Sequence, residues 1–137
     1  MNVFTYGSLM FPEVWRRVTG GTVPGHPARL AGYEARALRG VTYPVLVAIM
    51  PESVTEGVVY RGVDAAALAR LDLFEGNFYV RREVTVGTEE GKVTAQVYAA
   101  AWEDHPDILP ERWRAGEFAA RHLAGFLRAD PGFAGPR

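Results

Sequence analysis

The sequence predicts an α+β domain dominated by strands, and three observations carry that expectation. Short runs of β-branched and apolar residues lie between Gly, Pro and Ser breaks over much of the chain. Helix-forming composition is confined to three stretches. No internal repeat, low-complexity tract or linker interrupts the 137 residues, a length that buries a sizeable core without metal or disulfide staples. A single domain is expected over residues 1–129. The tail 130–137, Asp130-Pro-Gly-Phe-Ala-Gly-Pro-Arg137, has the Pro and Gly content of a flexible end.

In chain order, Val3 to Tyr6 reads as a first strand, and Pro12 through Val18 as a short helix with Pro near its start and Gly20-Gly21 at its end. Pro24-Gly25-His26-Pro27 reads as a loop. Ala28 to Leu38, Val45 to Met50 and Val54 to Tyr60 are expected strands. Asp64 is a candidate N-cap for a helix through Asp72, with Leu68 and Leu71 on one face, running into a turn at Glu75-Gly76-Asn77.

Phe78 to Val86 and Lys92 to Ala101 flank Gly87-Thr88-Glu89-Glu90-Gly91, a polar link of hairpin length. Alternation places Tyr79, Arg81, Glu83 and Thr85 on one face and Phe78, Val80, Arg82, Val84 and Val86 on the other. Pro106 to Pro110 breaks the sheet pattern. Glu111 to Arg128 then reads as a helix, with Trp113, Phe118, Leu123, Phe126 and Leu127 along one flank.

Charge narrows the partners. Fifteen basic against 16 acidic side chains leave a net charge of −1, without the broad field that draws nucleic acid or an anionic membrane. Small neutral or zwitterionic ligands fit better. The absence of cysteine excludes disulfides, thiolate nucleophiles and Cys-ligated metals. No secretory signal is legible at the N-terminus, and no apolar run approaches the ~20 residues that span a bilayer, so a soluble, cytoplasmic protein is expected.

Two stretches carry chemistry. In Val3-Phe4-Thr5-Tyr6-Gly7-Ser8-Leu9 an apolar strand enters a small-residue turn. Consecutive N–H groups in such a turn form a concave nest for a carboxylate or oxyanion. The other reading is a plain strand-to-helix turn. In Leu71-Asp72-Leu73-Phe74-Glu75-Gly76-Asn77-Phe78-Tyr79-Val80-Arg81, Glu75 lies among Leu73, Phe74, Phe78 and Tyr79. Burial there would raise its carboxyl from ~4.3 toward the ~6–7 useful to an acid/base catalyst. Such a shift costs about 3 kcal/mol, a cost carried for function in a domain with ~5–15 kcal/mol of stability. A solvated turn acid is the alternative.

Other clusters invite weaker readings. Glu103, Asp104, His105 and Asp107 bring metal-type ligands together, but without helical His spacing and around Pro106, so a polar loop explains them. His26 and His122 are isolated. Asp72 with Glu75 has the composition of a glycosidase pair, although acids three apart at a helix end ordinarily do local electrostatic work.

The ordered motifs resemble the γ-glutamyl cyclotransferase-like family. Tyr6-Gly7-Ser8-Leu9 is similar to its N-terminal loop signature, Tyr43-Pro44 to a central pair, Leu71-Asp72 through Arg81 to the segment with its catalytic acid, and Tyr98 to a late aromatic. The likeness spans about Val3 to Tyr98 and is nearest to the γ-glutamylamine cyclotransferases and plant avirulence-induced proteins.

The resemblance implies a small mixed barrel of five to six strands with flanking helices, and a reaction in which a γ-glutamyl amine or γ-glutamyl amino acid cyclises to 5-oxoproline and frees the amine. Glu75 would be the catalytic proton carrier, and Tyr6, Gly7, Ser8, Leu9, Tyr43, Tyr79, Arg81 and Tyr98 would contact the substrate. No metal or cofactor is implied, and the protein would be a monomer or weak homodimer. Read from the residues alone, Tyr79 is equally a core aromatic, Arg81 a cross-strand surface charge, Tyr43-Pro44 a strand break and Tyr98 a core aromatic. The competing function is a non-catalytic domain that keeps the cleft for a small ligand or a partner.

Overall fold

A computed structural model describes residues 1–128; the tail expected over 130–137 lies outside the described residues. Strand β1 (Val3–Thr5) passes through a 3-10 turn at Ser8–Met10 into helix α1 (Pro12–Thr19). Strands β2 (Gly25–Ala31), β3 (Tyr33–Leu38), β4 (Pro44–Ala48) and β5 (Val54–Tyr60) follow. Then come helix α2 (Ala65–Glu75), a 3-10 turn at Gly76–Phe78, and strands β6 (Tyr79–Thr88), β7 (Gly91–Ala100) and β8 (Ile108–Arg112). Helices α3 (Ala115–Arg121) and α4 (Leu123–Arg128) complete the described chain.

The order β1-β5-β2-β6-β7 closes a barrel, and β4-β3-β8 forms a second sheet. Every barrel pairing is antiparallel except the closing one, where β1 lies parallel to β7 at Val3 and Gln96. This mixed five-stranded barrel with flanking helices is the predicted fold class.

Period-two alternation divides the apolar residues between two cores. Phe4, Leu30, Val59, Val86, Ala95, Val97 and Ala99 join one cluster, to which all five barrel strands contribute. Val3, Tyr60, Tyr98 and Ala100 face the other way and pack with Val14, Trp15, Leu68, Leu71 and Phe74 of the helices. Each fully buried large side chain contributes about 1.5–3 kcal/mol. Trp15 stacks flat on Tyr60, with centroids 3.7 Å apart and rings 9° from parallel. Gly57 permits the tight approach of β5 to β1, since a Cβ there would lie 2.1 Å from the Thr5 carbonyl oxygen.

The second helix forms where the sequence suggests and runs further. Asp64 Oδ1 accepts the Ala67 N–H at 2.8 Å, as an N-cap does. The helix continues through Glu75 and ends because Gly76 takes φ +73°, so Glu75 is the last helical residue rather than part of a turn.

Three segments differ from expectation for identifiable reasons. Ala28 to Leu38 is two strands, because Gly32 at φ +87° turns the chain into a different sheet. The supposed loop Pro24–Pro27 is mostly strand, as Gly25–Pro27 pair with Val58–Tyr60 of β5. Pro27 is tolerated because β6 meets β2 only at Arg29–Gly87, leaving its other side unpaired.

The long helix expected over Glu111 to Arg128 begins as a strand instead. Ile108–Arg112 pairs with β3 at Leu38 and Arg36, with Pro110 in the shifted register between them. Trp113 donates its indole N–H to the Thr42 carbonyl at 2.8 Å and its backbone N–H to Ala35 at 3.0 Å, which holds the chain extended until α3. Helix α3 and helix α4 are separated at His122. The hairpin link also shortens, β6 running to Thr88 and leaving Glu89 and Glu90 between the strands. The alternation of β6 does not sort evenly either. Val80 is 37% exposed while Tyr79 is buried.

Candidate active site

Three chain segments converge beside the mouth of the barrel. The first is the exit from β1. Thr5 Oγ1 donates to the Val58 carbonyl at 2.8 Å, and one residue later the Tyr6 hydroxyl donates to the Tyr98 carbonyl at 2.5 Å, which ties the chain across to β7. Gly7 follows with Pro44 against its α-carbon, where a Cβ would come within 2.8 Å of the proline ring. The 3-10 turn then closes with Met10 N–H to Gly7 at 3.0 Å and Phe11 N–H to Ser8 at 3.2 Å. The amides of Ser8 and Leu9 precede the first internal bond of that turn, as the leading N–H groups of a helical turn do.

The second segment is the end of α2. Glu75 is 5% exposed and lies on the same hollow as the turn. Of the apolar neighbours that the sequence suggested, Phe74 and Tyr79 are buried whereas Leu73 is 72% exposed. Phe4, Leu9, Pro44 and Tyr98, distant in sequence, line the same hollow as Glu75.

The third segment is Tyr98 on β7. Its hydroxyl donates to Asp72 Oδ1 at 2.5 Å, and the same carboxylate oxygen is 3.5 Å from Arg81 Nε. The Tyr98 phenol is pushed far above its ordinary value, first by burial, then by the hydrogen bond to Asp72 and the charges of Asp72 and Glu75, with Arg81 opposing. Tyr98 stays protonated and donating at physiological pH.

Tyr6, Gly7, Ser8, Leu9, Glu75 and Tyr98 therefore meet around one hollow, together with Phe4, Thr5 and Pro44. Its cavity volume is small, about 30 Å³. The hollow is a slot, suited to a flat carboxylate or amide group with the rest of a ligand outside. Within it Ser8 is 2% exposed, and its Oγ is buried without a hydrogen-bond partner. Buried hydroxyls are nearly always paired, so this oxygen has hydrogen-bonding capacity to spare.

Tyr43, Tyr79 and Arg81 do not reach this lining. Tyr43 is half-buried against the helix-side core. Tyr79 is buried and donates its hydroxyl to the Pro44 carbonyl at 2.6 Å, which fixes the proline that abuts Gly7. Arg81 serves Asp72. Sequence reasoning had Pro44 only as part of the Tyr43-Pro44 pair, Ser8 only through its turn, and Asp72 only as an acid three residues from Glu75 doing local electrostatic work; that i, i+3 spacing puts both acids on the same helix flank.

The acidic loop has structural work of its own. Glu103 Oε2 accepts from the Ala48 N–H at 2.9 Å, His105 Nδ1 accepts from the Asp107 N–H at 3.1 Å, and Asp107 pairs with Arg39 at 3.6 Å. Among the described residues no group of three or more His, Cys, Asp or Glu is placed to hold a metal ion, and no helix is long and apolar enough to cross a membrane.

The chain is similar to known proteins over most of its length. The family described as "Gamma-glutamyl cyclotransferase, AIG2-like" matches residues 3–115. Protein AIG2 C of Arabidopsis thaliana is 34% identical over 128 residues, covering 92% of this chain and 76% of that protein. A solution structure of an Arabidopsis thaliana protein, 33% identical, superimposes with a TM-score of 0.73 over 92% of this chain and 76% of its own. A yeast γ-glutamyl cyclotransferase specific to glutathione shares the fold at 18% identity, with a TM-score of 0.64 over 81% of this chain and 73% of its own.

Proposed function

Because this chain belongs to the γ-glutamyl cyclotransferase, AIG2-like family, we propose that it cyclises a γ-glutamyl amine or γ-glutamyl amino acid to 5-oxoproline and releases the amine, with Glu75 carrying the proton. The observation that supports this most is a carboxyl only 5% exposed, on the same narrow hollow as a turn of main-chain donors.

In the proposed reaction the α-amine nitrogen attacks the γ-carbonyl carbon of the same molecule. One C–N bond forms to close the five-membered ring, and the bond to the leaving nitrogen breaks. The attacking nitrogen loses a proton and the leaving nitrogen gains one, so a single carboxyl between them balances the step. The burial of Glu75 at the end of α2 supports giving it that role.

The oxyanion that forms on the γ-carbonyl needs donors already in position. The amides of Ser8 and Leu9 and the Ser8 hydroxyl supply them, each oxyanion donor being worth about 3 kcal/mol in comparable sites. Attack within one molecule means that the hollow has only to hold the folded conformer, and proximity supplies several kcal/mol of the barrier. Because only a slot is available, the amine-side group projects outside, and the substrate class is set at the mouth.

The test is a panel of γ-glutamyl amines and γ-glutamyl amino acids with detection of 5-oxoproline. The wild-type chain is expected to turn over at least one member, and Glu75→Gln to lose about 10²–10⁴-fold in kcat while melting within a few degrees of wild type. Ligand-induced thermal stabilisation without product would instead identify a binding domain that keeps the cleft.

A further inference from the structure

We infer that Asp72 is a positioning residue: by accepting the single phenolic hydrogen of Tyr98, it leaves the Tyr98 oxygen to act toward the hollow only as an acceptor, for an N–H of the substrate's α-amine. This rests on the cyclotransferase reading above and specifies how that substrate is oriented.

The argument starts from hydrogen count. A tyrosine has one O–H to give and two lone pairs to offer, and an ionised carboxylate gives none. The 2.5 Å contact between Tyr98 Oη and Asp72 Oδ1 therefore fixes the direction of the bond. With its hydrogen committed to Asp72, the Tyr98 oxygen keeps only acceptor capacity, and Tyr98 is one of the residues that line the hollow. Such an oxygen suits an amine N–H and repels a carboxylate or a carbonyl.

The turn after β1 has the reverse polarity. The Ser8 and Leu9 amides and the unpartnered Ser8 hydroxyl can donate. A γ-glutamyl group thus has one preferred placement, oxygen atoms toward the turn and α-amine toward Tyr98 and Glu75. In that orientation the proton leaving the amine is next to Glu75. Asp72 does not line the hollow, so it acts through Tyr98.

Arg81 makes this arrangement sustainable. Two carboxyls three residues apart on α2 would repel each other if both were ionised. Arg81 Nε, 3.5 Å from Asp72 Oδ1, offsets the charge of that carboxylate. Besides Glu75, α2 carries Arg70 and Asp72, β6 carries Tyr79, Arg81, Arg82 and Glu83, and β7 carries Lys92 and Tyr98, with Tyr6 just after β1. Of these, Asp72 and Arg81 are the ones joined to Tyr98 by the contacts above, so replacing either by a neutral amide changes the charge beside Glu75 with a definite sign.

The experiment uses the full chain and whichever panel substrate it turns over, and measures kcat, KM, the pH profile of kcat/KM and the melting temperature of four proteins. Relative to wild type, Tyr98→Phe is expected to lose about tenfold to a hundredfold in kcat/KM. Asp72→Asn removes a negative neighbour and should move the acidic limb to lower pH by about half a unit or more. Arg81→Gln leaves Asp72 uncompensated and should move the same limb to higher pH.

A strut with no role in the chemistry would lower melting temperatures and leave kcat/KM of Tyr98→Phe within twofold of wild type. Turnover by wild type with an unmoved limb in both charge variants, or Tyr98→Phe within twofold of wild type, overturns this inference alone. If Asp72→Asn does not fold, Arg81→Gln and Tyr98→Phe still decide it. No turnover by wild type on any panel member overturns the proposed function and this inference with it.

Discussion

Gly7→Ala adds one methyl group at the centre of the site, and its cost can be worked from contact distances. The new Cβ would stand 2.8 Å from both Cγ and Cδ of Pro44, closer than such atoms come in folded proteins, so one partner has to move. Pro44 cannot yield easily. Its ring is rigid, its carbonyl is held by the Tyr79 hydroxyl at 2.6 Å, and it lies in β4, where Pro44–Val47 are all buried. The turn moves instead, by several tenths of an ångström. Overpacking of this kind costs about 1–3 kcal/mol, partly offset by the roughly 0.4–1 kcal/mol that alanine recovers by restricting the unfolded chain. The net loss is about 1–2 kcal/mol, or a fall of roughly 3–8 °C in Tm for a chain of this size.

Activity should suffer more than stability. The same displacement carries the Ser8 and Leu9 amides away from the oxyanion position, and misplacement near 1 Å costs on the order of 10²-fold. The assay is a thermal melt beside kcat/KM for 5-oxoproline release. Pro44→Ala in the Gly7→Ala background removes the obstructing ring atoms and should restore part of both losses, a coupling that distant sites would not show. A Gly7→Ala protein that melts within 1 °C of wild type and keeps kcat/KM within twofold would refute the steric argument.

Two further outcomes concern pH. Hydrogen bonds from Arg36 and Arg112 hold the Glu34 carboxyl below its ordinary value, so the stability they confer is present above about pH 4.5 and is lost as pH falls through the lowered folded value. Glu34→Gln should lower Tm at pH 7 and approach wild type in acid melts. Burial first, and the Glu13 charge second, push the Tyr60 phenol up to about 12. Its contribution is therefore complete below the ordinary value near 10 and lost as pH rises from there to about 12. Tyr60→Phe removes the donor to the Leu9 and Met10 carbonyls at 3.1 and 3.2 Å, should cost about 1–2 kcal/mol at neutral pH, and should make the alkaline loss of stability shallower.

What the sequence revealed was local, and what it hid was long-range. The Asp64 cap, the helix through Leu68 and Leu71 and the β6–β7 hairpin all follow from residues within one or two turns of each other. Ile108–Arg112 did not, because a Pro-containing segment becomes a strand only when β3 offers it an edge and Trp113 finds the Thr42 carbonyl. The same division runs through the site. Glu75 and Tyr6-Gly7-Ser8-Leu9 could be singled out from their own neighbourhoods. Arg81 could not be assigned, since its partner Asp72 lies on another element and faces it only after β6 docks on α2. A pocket wall such as Pro44 has no local signature at all.

The hidden part is largely a matter of where phenol hydroxyls go. Tyr6 reaches the Tyr98 carbonyl, Tyr60 the carbonyls of Leu9 and Met10, Tyr79 the Pro44 carbonyl and Tyr98 the Asp72 carboxylate. Each bond joins two elements that are distant in sequence, and all but the last end on a residue that lines the hollow or on its immediate neighbour. A single such bond nets only about 0.5–1.5 kcal/mol of stability. Their effect on the site is larger than that sum, because donors aimed in advance at a developing oxyanion need no reorganisation during the reaction. A slot held from four directions also resists swelling, which keeps water out and strengthens the electrostatics inside. Removing any one hydroxyl should therefore cost more in kcat than in Tm, and the ordering of those two losses separates a preorganised site from one that merely happens to be buried.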